Sequence, residues 1–392
     1  MITAAEALDR VLALAAPLPA EPVPLAEAAG RVLREDAVAT RAQPPFPAAA
    51  MDGYALNARD ARPGARLPVV GMAAAGHGFS GPVAEGAAVR IFTGAPLPAG
   101  TDHVVIQEDV AREGDAITLR EVGKANVRPA GADFAAGHSV TAPRRLTAHD
   151  IGLLAAMNVP APVCSRRPEV ALIATGDELV MPGETPGPDQ IVASNLFALK
   201  AMVEAEGARA RLLPIARDDA ESLATVLGLA EGADLIVTIG GASVGDHDLV
   251  GPVAERLGME RAFWKIAMRP GKPLMAGRVG DVAMVGLPGN PVSAMVCGHV
   301  FLRPAIRAML GLGGDPITPL SGTLAEPVEA NGPRTHYMRG RAERGPDGWR
   351  VTAFGRQDSA LLSVLVAANA LILRPPGDPA RAAGEAVRFL PI

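Results

Sequence analysis

The sequence is poor in cysteines and aromatic residues, and it has no excess of positive charge. Its two cysteines, Cys164 and Cys297, show no paired spacing, so neither a disulfide framework nor a structural zinc site is indicated, and a reducing cytoplasm is expected. Aromatic residues make up 3% of the chain, which argues against a base-stacking nucleic-acid surface. With 37 basic and 42 acidic residues the formal net charge is −5, so any bound anion requires a local basic site.

Long apolar runs and a secretion signal are also lacking. The longest apolar stretch, residues 361–373, is too short and too polar to span a membrane. The N-terminus has no basic leader, and Thr3 with Glu6 forms a capping-box pattern that predicts an amphipathic helix instead. The seven histidines are scattered, so no histidine metal cluster is evident. We therefore expect a cytoplasmic protein without nucleic-acid or membrane partners.

A chain of 392 residues is too long for one ordinary core, and its composition divides it into regions. Residues 1–42 and 141–167 are predicted to form a helical linker domain, with helical sequence to about residue 40 and a second helix at 147–157. Residues 43–140 are rich in glycine and proline and contain short β-like runs. This segment is predicted to be a small β domain inserted into the helical one.

The remainder of the chain predicts an α/β domain at 168–314 and a C-terminal β domain at 315–392. In the first, strands alternate with helices of a length that is typical of a largely parallel, doubly wound sheet. The strands are expected at 170–175, 209–215, 235–239, 282–286 and, as a further candidate, 262–267. The helices are expected at 195–206, 218–230, 248–257 and 291–310. The predicted fold class is therefore multidomain, α/β plus β.

Acidic segments follow three of these strands. T-G-D-E-L supplies Glu178, R-D-D supplies Asp218, and G-G-A-S-V-G-D-H-D supplies Asp248. Ligands of open α/β sheets bind outside the carboxyl ends of the strands, so these carboxylates are expected to converge. Asp218 and its neighbour Asp219 are also good helix N-caps, and capping alone would explain either one.

Two proline-rich segments are candidates for holding an anion. In L-P-G-N-P, Gly289 permits a close approach to the backbone and Pro291 suits a first helical turn, whose free N–H groups attract anions. A plain strand–turn–helix connection explains this motif equally well on its own. R-P-G-K-P adds Arg269 and Lys272 near Lys265, although solvated surface is the ordinary role of such residues. Carboxylates and cations together suit a phosphorylated ligand with a divalent metal.

A serine hydrolase is the competing enzyme hypothesis. G-A-S-V-G follows a predicted strand, as a nucleophile elbow does, which would make Ser243 the nucleophile and His299 or His336 the base. Against it, Asp246 and Asp248 crowd the elbow, and no oxyanion segment of the H-G-G-G type precedes it.

Seven motifs in order along the chain resemble those of the molybdopterin molybdenumtransferase family, which includes bacterial MoeA and the gephyrin C-terminal domain. The resemblance covers nearly the whole length. The motifs are A-M-D-G-Y-A at 50–55, T-G-A-P at 93–96, T-G-D-E-L at 175–179, R-D-D at 217–219, G-G-A-S-V-G-D-H-D at 240–248, R-P-G-K-P at 269–273 and L-P-G-N-P-V-S-A at 287–294.

This resemblance implies the last step of molybdenum cofactor synthesis. Such enzymes bind adenylated molybdopterin and molybdate, release AMP in a Mg²⁺-dependent way and leave molybdenum on the pterin dithiolene. The dithiolene supplies soft sulfur ligands, so the protein needs no cysteine cluster. Family members are homodimers of four-domain chains, whose cleft joins the small β domain of one subunit to the α/β and terminal domains of the other. The resemblance also suggests two kinds of protein partner, the molybdopterin adenylyltransferase and the apo-molybdoenzymes.

The resemblance also assigns site residues. It implies catalytic roles for Asp52, Thr93, Asp133, Glu178, Asp218 and Asp248, of which the last three would also bind the metal. It implies substrate or oxyanion binding by Gly240, Gly241, Ser243, Lys265, Arg269, Lys272, Pro288, Gly289, Asn290, Pro291 and Ser293.

The chain departs from the family at two positions that are often acidic, where it carries Ala132 and Ala193. Each departure removes a carboxylate that could serve Mg²⁺ directly or through a neighbour. Two other functions compete with the enzyme: a gephyrin-like scaffold, which would not need the acidic residues, and a tungsten-handling paralogue. The sequence does not separate molybdate from tungstate, because both are tetrahedral oxyanions of similar size.

Overall fold

The computed structural model describes residues 1–241, 249–314 and 318–392. The chain divides into two compact units, and it passes between them more than once. The first unit contains the α/β region and the C-terminal β region, and the second contains the inserted β region with its flanking helix. Their segments are Met1–Glu21, Gly30–Val32 and Ser165–Ile392 in the first unit, and Pro22–Ala29 and Leu33–Cys164 in the second.

A six-stranded sheet forms the centre of the first unit. Its strand order is Arg209–Leu212, Glu169–Ala174, Leu235–Ile239, Val282–Leu287, Met275–Val279, Met259–Trp264. The first four strands are parallel, and Met275–Val279 is antiparallel to both of its neighbours. The expected doubly wound sheet is confirmed, and the antiparallel strand was not predicted.

The central strands are almost wholly apolar because helices cover both faces of the sheet. Leu172, Val237 and Val285 lie side by side in register, and all three are buried. The covering helices are Ser194–Ala205, Ala220–Gly228, Val250–Arg256, Pro291–Cys297 and Arg303–Met309. The helix Ala4–Leu14 contributes its buried face to the same core, and Thr3 caps it with the predicted capping box.

Three predicted elements of this region differ in extent. The strand expected at 209–215 ends at Leu212, because Pro214 cannot donate to a ladder. The strand expected at 262–267 ends at Trp264, since Lys265 has φ +65°. The helix expected at 291–310 contains a π-helical segment, Gly298–Leu302, just before Pro304, whose missing N–H disturbs the regular hydrogen bonding.

The C-terminal region closes into a barrel. Strand Thr335–Gly345 pairs with both Gly348–Ala353 and Ala370–Arg374, so the ring of strands has no free edge there. The other two strands are Leu320–Leu324 and Ala386–Pro391. The short strand Met268–Arg269, which comes from the α/β region, pairs in parallel with the start of Thr335–Gly345. The predicted C-terminal β domain is confirmed, and this added strand brings R-P-G-K-P against it.

The second unit is built around a six-stranded sheet of short strands. Their order is His103–Ile106, Gly53–Leu56, Ala88–Ile91, Arg66–Ala73, Ala116–Leu119, Val110–Glu113. Two further pairs are Ala48–Ala49 with Val127–Arg128 and Ala37–Val38 with Ser139–Val140. The predicted second helix is present at Ala148–Ala156, with Thr147 as its N-cap.

The prediction of helix as far as residue 40 is wrong. After Ala4–Leu14 the chain forms short strands and one 3₁₀ turn, Leu25–Glu27. Four prolines between residues 17 and 24 remove backbone donors and disfavour helix before each of them. The boundaries proposed for the four domains stay predictions.

Candidate functional site

A cleft of about 560 Å³ lies at the carboxyl ends of the central strands. The segments that follow the four parallel strands form its walls, as expected for an open α/β sheet. Eight predicted residues line it: Glu178, Asp218, Gly240, Gly241, Pro288, Gly289, Asn290 and Pro291. Sequence reasoning missed the apolar side of the cleft, which Leu179, Ile191 and Val192 provide.

Gly176 makes room for the carboxylate of Glu178. Its φ is +146°, and a Cβ there would lie 2.2 Å from Glu178 Oε2. Any side chain at position 176 would therefore force the carboxylate of Glu178 to move, and it would need a backbone conformation that L residues rarely adopt. The glycine of T-G-D-E-L thus has a steric role that its motif alone did not reveal.

The two neighbouring aspartates of R-D-D have different roles. Asp219 caps the helix Ala220–Gly228, because its Oδ1 accepts hydrogen bonds from the N–H groups of Glu221 at 3.0 Å and Ser222 at 2.7 Å. Asp218 does not cap the helix, and it lines the cleft. Its Oδ2 accepts a long 3.4 Å hydrogen bond from the N–H of Asp177. Capping therefore explains Asp219 but not Asp218.

The L-P-G-N-P turn lies beside the glycines that follow the third strand. A Cβ at Gly289 would lie 3.5 Å from the Cα of Gly240, and Asn195 Nδ2 donates to the carbonyl of Gly289 at 2.7 Å. Pro291 is the first residue of the helix, as predicted. One of the N–H groups expected to be free is used within the protein, since Val292 donates to the carbonyl of Ser359 at 3.0 Å.

A second pocket, of about 330 Å³, adjoins the cleft at Pro273, which lines both. Three predicted residues line it: Arg269, Lys272 and Ser293. Gly271, with φ +114°, allows this loop to pack on Cys297, whose Sγ would lie 2.6 Å from a Cβ. We call this the basic pocket.

Four residues of the basic pocket were missed: Arg334, Gln357, Asp358 and Ser359. They belong to the C-terminal barrel region, which approaches this loop where Met268–Arg269 pairs with strand Thr335–Gly345 and where Val292 donates to the carbonyl of Ser359. No local motif marks such a pairing over more than sixty residues. The one available signal in the sequence is the pair of arginines in R-T-H-Y-M-R at 334–339.

Lys265 does not line the cleft or the basic pocket. Its ammonium nitrogen lies 3.8 Å from the centroid of the Trp264 ring, a cation–π contact. Its backbone N–H donates to the carbonyl of Leu274 at 3.0 Å, close to R-P-G-K-P. The structure therefore places Lys265 on the supporting side of that loop.

In the second unit, Asp52 and Thr93 form a tight pair. Asp52 Oδ1 accepts hydrogen bonds from the N–H of Thr93 at 2.8 Å and from its hydroxyl at 2.7 Å. These two bonds, aided by Arg90, lower the pKa of Asp52 below its usual value. Asp133 lies on a separate turn, where its N–H donates to the carbonyl of Gln43 at 3.0 Å. The structure thus brings Asp52 of A-M-D-G-Y-A and Thr93 of T-G-A-P together, and the roles assigned to them stay predictions.

The two histidines considered as hydrolase bases both lie near arginines, and His336 is buried whereas His299 is partly buried. Burial, aided by Arg303, lowers the pKa of His299 to about 4, and Arg303 Nη1 lies 3.3 Å from its Nδ1. Burial, followed by Arg269, Arg374, Arg339 and Arg334, lowers the pKa of His336 to about 4. His336 lines a third cavity of about 490 Å³ on the barrel side of Arg269.

Comparisons with known proteins agree along the whole chain. Residues 2–158 match the family model for the MoeA N-terminal region (domain I and II), residues 171–308 match the probable molybdopterin binding domain, and residues 321–392 match the MoeA C-terminal region (domain IV). A molybdopterin molybdenumtransferase of Haemophilus influenzae is 35% identical over 402 residues, with 100% of this chain and 98% of the relative covered. The chain belongs to the molybdopterin molybdenumtransferase (MoeA) family.

Other members of this family support the same conclusion. Molybdopterin molybdenumtransferase 2 of Mycobacterium tuberculosis is 36% identical over 378 residues, with 92% of each chain covered. The solved structure of the molybdopterin biosynthesis MoeA protein from Pyrococcus horikoshii superposes with a TM-score of 0.86 at 29% identity, covering 100% of this chain and 99% of that one. The multidomain MoeA architecture is thereby confirmed. Neither the hydrolase nor the scaffold hypothesis finds support among these relatives.

Two residues that the MoeA resemblance singled out, Ser243 and Asp248, lie outside the described residues. Among residues 1–241, 249–314 and 318–392, no group of three or more His, Cys, Asp or Glu side chains is arranged to hold a metal ion. In the same part of the chain, no helix is both long and apolar enough to span a membrane.

Proposed function

We propose that this MoeA-family chain acts in molybdenum cofactor biosynthesis, where it inserts molybdenum from molybdate into adenylated molybdopterin and releases AMP. The observation that carries the proposal is the pairing of an acidic cleft with a basic pocket, which meet at Pro273. The reaction needs both, because it breaks a phosphoanhydride bond of one substrate and takes up a second substrate that is an oxyanion. The cleft of about 560 Å³ is large enough for part of a nucleotide-sized ligand.

The cleft carboxylates fit Mg²⁺ when the substrate is counted as a ligand. Mg²⁺ is commonly held by one or two carboxylates together with substrate phosphates and water. Glu178 and Asp218 are the two described carboxylates that line the cleft, and Asp248 is proposed as a third ligand. When bound, the ion would neutralise phosphate charge, and the proposal therefore includes dependence on Mg²⁺.

The basic pocket is proposed to hold molybdate. Arg269 and Lys272 are exposed there, and Arg334 adds a third cation that the sequence did not indicate. Charge-assisted hydrogen bonds from such groups are the usual means of holding an oxyanion. Because the chain carries a net charge of −5, this local charge must attract the dianion.

The remaining parts of the proposal come from the family resemblance. They are a homodimer, a cytoplasmic location, and roles in turnover for Asp52, Thr93 and Asp133. The tight Asp52–Thr93 pair supports a role for the first two, because it leaves Oδ2 of Asp52 available to a ligand.

Release of AMP from adenylated molybdopterin by the purified protein tests this function. We expect AMP to appear only when both Mg²⁺ and molybdate are present, and molybdenum to remain on the pterin. Release without molybdate, or no release at all, would contradict the proposal. Titrating tungstate in place of molybdate tests for a tungsten-handling enzyme. Such an enzyme would reach its half-maximal rate at a lower concentration of tungstate than of molybdate.

A further inference from the structure

One arginine of the C-terminal barrel is buried without a carboxylate partner in the part of the chain that the structure describes. Arg339 is 1% exposed, and the hydrogen bonds that its guanidinium makes to described residues are both long, from Nε to Gln357 Oε1 at 3.4 Å and from Nη1 to the carbonyl of Leu361 at 3.5 Å. Among the described residues no carboxylate lies within ion-pair distance of it. Burial of an unpaired charge is costly, and here it lowers the pKa of Arg339.

Arg374 of the neighbouring strand provides the contrast. It is equally buried, at 1% exposed, but it forms an ion pair with Asp378 and donates to the carbonyls of Glu329 at 3.1 Å and Pro379 at 2.7 Å. The same barrel therefore gives a buried arginine a full set of partners when the arginine serves the fold alone. Arg339 needs a different explanation.

Arg339 supports the segment that closes the basic pocket. Its backbone N–H donates to Gln357 Oε1 at 3.0 Å, and Gln357 Nε2 donates back to its carbonyl at 2.9 Å. The guanidinium reaches the same Gln357 and, further along, Leu361. Between these two contacts the segment carries Asp358 and Ser359, which line the basic pocket.

The charge of Arg339 also acts at the border of this pocket. Burial is the main reason that the pKa of His336 is lowered to about 4, and the charge of Arg339 adds to this effect together with Arg269, Arg374 and Arg334. One carboxylate, that of Asp358, acts on Arg339 through space, and its Oδ1 is already used by the N–H of Ala360 at 2.8 Å. A bound anion would therefore meet the three cations that line the pocket, Arg269, Lys272 and Arg334, with the charge of Arg339 behind them, against the carboxylate of Asp358.

We propose that Arg339 is a positioning residue of the basic pocket, whose buried charge has no ion pair among the described residues because a bound tetrahedral oxyanion dianion is its electrostatic partner. This inference rests on the proposed role of the basic pocket, although it does not depend on turnover. Arg339 acts on the anion through its field and through the segment at 357–361, while Arg269, Lys272 and Arg334 contact the anion.

Equilibrium binding of molybdate to the full chain tests the inference, with thermal unfolding measured on the same samples. Arg339→Met should weaken molybdate binding roughly tenfold, which corresponds to about 1.4 kcal/mol. Its melting temperature should stay equal or rise, because an unpaired buried charge has been removed. The matched variant Arg374→Met should do the opposite, with lower stability and retained molybdate affinity. Unchanged affinity in folded Arg339→Met would overturn the inference.

Two further variants keep the test decisive if Arg339→Met does not fold. Arg339→Lys keeps the charge and should bind molybdate within about threefold of the wild type. Asp358→Asn removes the opposing carboxylate and should tighten binding by roughly threefold. Equal affinity in Asp358→Asn and the wild type would count against a role for the field of Arg339.

The outcomes also separate this inference from the proposed function. Normal molybdate binding by the wild type with no effect of Arg339 or Asp358 overturns the inference alone. An effect of both residues on binding, without any release of AMP, overturns the proposed function alone. If wild-type protein binds neither molybdate nor tungstate, both are wrong.

Discussion

The acidic cleft and the basic pocket share a wall at Pro273, yet they are assembled in different ways. The cleft is made by segments that directly follow neighbouring parallel strands, so each carboxylate is placed by the strand before it. The basic pocket joins R-P-G-K-P to residues 334 and 357–359 of the C-terminal region. Strand order alone thus builds one site, whereas the other depends on contacts between distant segments, namely the pairing of Met268–Arg269 with Thr335–Gly345 and the hydrogen bond from Val292 to Ser359.

This difference divides the expected functions of the two sites. Carboxylates in the cleft act on charge that changes during bond breaking, so their loss should affect the rate. Cations in the basic pocket act on an anion that is charged before and after binding, so their loss should affect the concentration needed for saturation. The following predictions test that division, from the largest expected effect to the smallest.

Asp218→Ala should lower the rate of AMP release by about two orders of magnitude or more, because an electrostatic contact that acts in the transition state is lost. Molybdate affinity and thermal stability should stay close to those of the wild type, since Asp218 neither lines the basic pocket nor caps a helix. Steady-state assays of AMP release with both substrates varied provide the measurement. A normal rate in the folded variant would show that the acidic cleft is not the reaction site.

The sequence predicted the cleft well because its residues lie close to strands whose apolar runs are easy to recognise. Glu178 and Asp218 were found in this way, and so was the turn at Pro291. Arg334 and Arg339 were missed because their positions depend on barrel closure, which pairs segments far apart in the chain. The error over residues 15–40 had a local cause, since the prolines there outweigh the favourable pattern that precedes them.

The pH dependence of stability should report the burial of His336, to which the arginines around it add. The pKa of His336 falls from 6.5 to about 4 on folding, so the unfolded chain takes up its proton first as the pH is lowered. The free energy of unfolding should therefore decrease between pH 6.5 and pH 4, by roughly 2 kcal/mol at pH 5 from this residue. His336→Gln should remove that part of the decrease in urea titrations.

The exposed His149 serves as the control for that measurement. His149→Gln should leave the pH dependence of unfolding as it is in the wild type. If His336→Gln also leaves it unchanged, His336 is not held in its neutral form by its burial and by the arginines around it.

Lys272→Ala should raise the molybdate concentration for half-maximal AMP release by about tenfold. A lost charge-assisted hydrogen bond is worth about 1–3 kcal/mol, and each 1.4 kcal/mol corresponds to a factor of ten. The maximal rate should fall much less than in Asp218→Ala. Lys200→Ala, on the helix Ser194–Ala205 where Lys200 pairs with Glu204, is the control for loss of one positive charge. An unchanged molybdate requirement would place the oxyanion elsewhere.

The smallest effect is expected at Asp219, the neighbour of Asp218, where the largest effect is expected. This residue differs from Asp218 by one position but accepts the N–H groups of Glu221 and Ser222 as a helix cap. Asp219→Ala should therefore lower the free energy of unfolding by about 1 kcal/mol, as is usual when an N-cap is lost, and leave the rate of AMP release nearly unchanged. Asp219→Ser should recover most of the stability, because a serine hydroxyl caps almost as well. A large loss of activity in a stable Asp219→Ser variant would mean that both aspartates serve the reaction, and that the division of R-D-D into a cap and a cleft carboxylate is wrong.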